Sequence, residues 1–196
     1  MKNILLINEG YASSPKHLAD KDHETVSHDA LPIIFDQLNF DPTKGDEWRE
    51  IHSTRWTSYR RMIKWLQKRE SQGSNLMLVG KSMGGYEIYK MLTKIKLHFS
   101  KIVVVMIDGH STIGKGMYGE KRAFNKRALL NSGDPMFRVI NFYQKRKYPR
   151  GAKFIGADNE YYFDHKTLHE DIDHFNIVRN PIVLQGIKDA ARWVQL

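Results

Sequence analysis

Six consecutive apolar residues, Ile102 to Ile107 (IVVVMI), constrain the fold of this chain more than any other stretch. A short continuous run of this kind suits a strand buried on both faces, as in a parallel sheet covered by helices on each side. Two shorter runs have the same character, Asn3 to Asn8 (NILLIN) and Leu76 to Val79 (LMLV), and they stop near Gly10 and at Gly80. Arg138 to Tyr143 (RVINFY) reads as a further strand. Within the window from Trp48 to Glu70, residues Trp56, Tyr59, Met62, Ile63, Trp65 and Leu66 recur at helical spacing, and Ser71-Gln72-Gly73-Ser74 ends that helix. A second helix is expected from Met83 to about Lys96, and an amphipathic third from Ile182 to Leu196 behind the start signal Asn180-Pro181. Ser13, Ser14 and Pro15 offer another helix start, while the patch Leu31 to Phe35 carries Pro32 and reads equally as strand or helix. The alternation of strands and helices predicts the α/β class with a mostly parallel central sheet. The long stretch from Gly109 to Pro135 is expected to be an irregular, functional loop.

The 196 residues suffice for one domain, expected over 1–196. The absence of cysteine excludes disulfides, thiolate metal sites and cysteine nucleophiles, and it fits a reducing compartment. No segment approaches the roughly 20 apolar residues of a membrane span. The apolar run in Met1 to Gly10 is too short for a signal peptide, so a cytoplasmic protein is expected. The net charge of +9 is concentrated between Lys115 and Lys153, where eleven Lys or Arg face two acids, Glu120 and Asp134. Such a segment is either a solvated face or a surface that attracts an anionic partner.

Gly80-Lys81-Ser82-Met83-Gly84-Gly85 matches G-x-S-x-G between an apolar strand and an apolar helix, the setting this motif requires. The turn is tight, and Gly80 and Gly84 are expected to flank Ser82 because a Cβ there would crowd the backbone. It should aim the Ser82 hydroxyl above the sheet and place the Met83 amide at a helix N-terminus, able to donate to an oxyanion. A phosphate-binding loop would also contain Gly-Lys-Ser, but it needs glycine at position 75, which is Asn75.

With these residues the chain resembles an α/β-hydrolase over essentially its whole length. GKSMGG is similar to the GxSxGG elbow of lipases, esterases and thioesterases, and Asn8-Glu9-Gly10-Tyr11-Ala12-Ser13-Ser14-Pro15 resembles the family's HGxxSSP segment, with Asn8-Glu9 where histidine is common. The resemblance implies a second oxyanion donor from this segment, by position the Tyr11 amide. It also implies an acid and then a histidine after the nucleophile. The histidines that follow Ser82 are His98, His110, His165, His169 and His174. His174-Phe175-Asn176-Ile177, in the loop before the last helix, is similar to the HxxI segment of compact lipase-like members, which makes His174 the expected base ahead of His165 and His169. Asp108, directly after IVVVMI, lies where catalytic groups gather in open α/β sheets. Ile107-Asp108-Gly109 resembles the acid-bearing turn of some lipase-like members; Asp158 is the alternative, one strand later.

The implied activity is a serine esterase or lipase-like hydrolase with a Ser82–His174–Asp108 triad. It would cleave an ester, thioester or amide through an acyl-enzyme, with no cofactor and no metal. The chain leaves little room for a cap domain, so small esters or lipid-like substrates, anionic ones included, are the expected partners. Two other readings remain open on the sequence: a binding protein on the same scaffold without catalysis, and nucleic-acid or anionic-surface binding through the basic 115–153 segment.

Overall fold

A computed structural model describes residues 1–9, 36–38, 41–52, 58–70, 73–110, 123–145, 151–164, 172 and 176–195. Its centre is a six-stranded sheet made of β1 (Lys2–Glu9), β2 (Glu47–His52), β3 (Ser74–Lys81), β4 (Lys101–Ile107), β6 (Phe137–Gln144) and β8 (Asn159–Phe163). The spatial order is β2-β1-β3-β4-β6-β8. Each of the five neighbouring pairs in this sheet is parallel. Two short strands, β5 (Phe124–Asn125) and β7 (Phe154–Ile155), pair beside it. Three helices have both ends among the described residues, α1 (Ser58–Gln67), α2 (Met83–Leu92) and α3 (Pro181–Gln195).

The apolar runs are continuous because both faces of each central strand are covered. Alternate residues point to opposite faces, and β4 shows the division. Ile102, Val104 and Met106 join the core that holds Met62, Trp65 and Leu66 of α1 and Ile88, Met91 and Leu92 of α2. Val103, Val105 and Ile107 join the core that holds Val183, Ile187, Ala190, Ala191 and Val194 of α3. Helices on opposite faces require crossovers in both directions along the sheet. The first strand is therefore flanked by β2 on one side and β3 on the other, and the direction of winding reverses between β1 and β3.

Three expectations change. The window from Trp48 is strand over Glu47–His52 and helix only from Ser58. β2 is an edge strand, with Trp48 46% exposed, so it lacks the continuous apolar run that marks the interior strands. The second helix stops at Leu92 rather than near Lys96, where Thr93 caps it through N–H bonds to Tyr89 and Met91 carbonyls and donates its hydroxyl to the Lys90 carbonyl at 2.8 Å. The stretch from Gly109 to Pro135 contains β5 and a 3-10 turn over Lys126–Ala128. The patch 31–35 and residues 13–15 lie outside the described residues.

The edge strand is tied down by charge. The Glu47 carboxylate accepts from Lys2 Nζ at 2.6 Å and from Arg69 Nε, and these cations, Lys2 first, hold it below the usual carboxylate range. On the α3 side, Gly186 is present for closeness: a Cβ there would lie 2.3 Å from Cζ of Phe142, a fully buried ring stacked on Tyr161 at 4.8 Å. Gly186→Ala should therefore destabilise the protein by about 1–3 kcal/mol through overpacking. The sign opposes helix propensity, which alone would favour alanine by about 1 kcal/mol. Denaturant midpoints of the two proteins measure it.

Candidate active site

The carboxyl ends of the strands meet along one edge. The register pairs Asn8 with Gly80, Lys81 with Ile107, and Ile107 with Phe142. Residues 82 and 108 therefore leave adjacent strands at the same level, beside the winding reversal between β1 and β3 where open α/β sheets form their ligand crevice. Asn8, Ser82, Asp108 and Gln144 are all buried polar residues at this edge. Such a concentration is costly unless hydrogen-bonded, and it marks the edge as more than packing.

β3 runs directly into Ser82 and α2 begins at Met83. Ser82 has φ 55 and ψ −131, a left-handed-side conformation that costs a residue with a side chain about 1–3 kcal/mol. Three backbone bonds hold it there. Its N–H donates to the Ile107 carbonyl at 3.1 Å, and its carbonyl accepts from Gly85 N at 3.1 Å and His110 N at 3.2 Å. The expected crowding at Gly80 comes from Gly85: a Cβ on Gly80 would lie 2.6 Å from the Gly85 Cα. The Met83 amide opens α2, where the first N–H groups have no acceptor within the helix and the helix dipole favours negative charge.

The Ser82 hydroxyl has an imidazole beside it. Oγ and His110 Nε2 are 3.0 Å apart, a hydrogen bond whose direction follows the tautomer. Sequence reasoning counted His110 among the histidines after Ser82 and did not select it. The usable signal was positional, because strands in register bring a residue just past β4 over one just past β3. The turn does not lift Ser82 into open solvent: the residue is 7% exposed.

Among the described residues, Asp108 is the other residue besides Ser82 that has a side chain and positive φ, at 48. It is fully buried. Its N–H donates to the Phe142 carbonyl at 2.7 Å. Oδ1 accepts from Gln144 N at 3.1 Å and Oδ2 from Gln144 Nε2 at 3.0 Å. Asp158 is placed differently. Its carboxylate accepts from Lys126 Nζ at 2.6 Å and Val139 N at 2.7 Å. Val139 lies three residues before Phe142, about 10 Å back from the edge that carries Ser82. Asp158 thus clamps a loop to β6. His165, His169, His174 and Tyr11 lie outside the described residues.

Part of the basic 115–153 segment is engaged within the fold. Lys126 pairs with Asp158, Lys153 lies 3.8 Å from Glu160, and the Arg138 guanidinium covers the Trp193 ring at 4.6 Å. Residues 115–122 and 146–150 lie outside the described residues. Among the described residues no three His, Cys, Asp or Glu side chains group as metal ligands, and no helix is long and apolar enough to cross a membrane. Comparison with protein-family models gave no match, and no curated protein matched the chain in sequence.

Proposed function

We propose that this chain is a serine hydrolase of the α/β-hydrolase type, with Ser82 as nucleophile and a carboxylic ester, thioester or amide as substrate. The observation that carries the reading is the pairing of a strained Ser82, at the junction of β3 and α2, with an imidazole nitrogen 3.0 Å from its Oγ. Placement of this turn at the winding reversal and of a buried carboxylate at the end of the next strand supports it.

In the reaction, a histidine takes the Ser82 proton as Oγ attacks the carbonyl carbon. The oxyanion forms against the Met83 amide and, by the resemblance, that of Tyr11. The tetrahedral intermediate expels the alcohol, thiol or amine with the proton from the imidazolium, leaving an acyl-serine. Water attacks it with the same histidine as base, and Ser82 regains its proton as the acid departs. Asp108 orients the imidazole and stabilises its charged form. The reading places the protein in the cytoplasm, in keeping with its lack of cysteine.

Geometry and resemblance name different bases. His110 is the histidine on the hydroxyl, whereas the resemblance gives His174. Initial rates with p-nitrophenyl acetate separate them. If His110 is the base, His110→Ala lowers kcat by a factor on the order of 10³ or more and His174→Ala leaves it within tenfold; if His174 is the base, the pattern reverses. Full activity in both variants would contradict the mechanism.

A further inference from the structure

We propose that Gln144 is a positioning residue for the Asp108 carboxylate, and that with Gly151 it forms a cradle fixing that carboxylate for the catalytic imidazole. The inference rests on the hydrolase reading and adds residues that the Ser-His-Asp pattern does not contain. Gln144 is the last residue of β6 and is 1% exposed. A buried amide costs free energy unless its polar atoms are bonded. Here one residue reaches both oxygens of one carboxylate, the backbone N–H to Oδ1 and Nε2 to Oδ2.

The chain then returns over the same group. Gly151 N donates to the Gln144 carbonyl at 3.0 Å, and Ala152 N to the Gly109 carbonyl at 2.7 Å. A Cβ on Gly151 would stand 1.9 Å from Asp108 Oδ1 and 2.8 Å from Tyr143 Cβ, so only glycine lets the backbone pass this close. The positive φ of Asp108 points to the same conclusion, since backbone strain is tolerated where the surroundings over-determine a geometry. An ionised carboxylate has about four lone-pair sites. The two Gln144 bonds use one on each oxygen, which fixes the plane of the carboxylate.

Gln144→Met keeps the side-chain length and the backbone donor and removes Nε2–H. The expected result is a kcat for p-nitrophenyl acetate lowered on the order of ten- to a hundredfold with KM within about twofold, as for other hydrogen-bond partners that orient a functional group. In an Asp108→Asn background the same substitution should add nothing further to the loss in the rate of fluorophosphonate labelling, because Gln144 acts through Asp108. Unchanged kcat in folded Gln144→Met, or an equal loss with and without Asp108, overturns the proposal while leaving the hydrolase reading intact. If Gln144→Met does not fold, Gln144→Asn, whose shorter amide falls short of Oδ2, carries the same expectations. Folded wild type that neither turns over nor labels overturns the hydrolase reading, and this inference with it.

Discussion

Asp108→Asn is expected to lower kcat on the order of 10⁴-fold while the protein stays folded. Asparagine is a fair test because, like aspartate, it tolerates a positive φ, so the backbone at φ 48 need not move. One side-chain oxygen can still accept from Gln144. What is lost is the negative charge that stabilises an imidazolium and the acceptor that selects its tautomer. Asp158→Asn provides the contrast. It weakens a clamp made with Lys126 and Val139, on a part of β6 remote from Ser82, so stability falls and turnover stays near wild type. Steady-state kinetics together with thermal melts of both variants measure the difference, and a collapse of turnover in Asp158→Asn alone would reverse the assignment.

Gly80→Ala is expected to unfold the protein or to cost about 3 kcal/mol or more, at or beyond the top of the overpacking range. The added Cβ would meet Gly85 Cα at 2.6 Å and Gly85 N at 2.9 Å. Both are backbone atoms of α2, which is packed on the sheet through Ile88, Met91 and Leu92 and cannot step aside as a flexible side chain would. For a chain of this size 3 kcal/mol corresponds to a fall in Tm of roughly 6–12 °C. The turn that presents Ser82 should distort with it, so labelling of Ser82 falls even in material that remains folded. Gly133→Ala is the control: a Cβ there meets nothing within 4 Å, and its Tm should stay within a degree or two of wild type.

The interior of the sheet was legible because burial on both faces writes itself into a strand as an unbroken apolar run, as in Ile102 to Ile107. The edges were not. Among the described residues β2 (EWREIH) and β8 (NEYYF) each have one sheet neighbour, and the first four residues of β8 are exposed, so charged and polar letters there carry no strand signal. Ser82 could be found from its local pattern because strand, turn and helix are contiguous in the chain. Its contact with His110 could not, since it depends on the parallel register between β3 and β4. The same limit hid the Asp108 cradle, where Gln144 and Gly151 lie 36 and 43 positions away along the chain. The place of Asp108 directly after IVVVMI, and the resemblance of Ile107-Asp108-Gly109 to an acid-bearing turn, say nothing of the groups that hold it.

The central claim, an activated hydroxyl at Ser82, is tested most directly by a fluorophosphonate probe on the folded full-length chain, with the adduct located by peptide mass. The account expects one covalent adduct per chain on the peptide bearing Ser82, and none in Ser82→Ala. A folded wild type that forms no adduct, or an adduct that persists undiminished in Ser82→Ala, would contradict it.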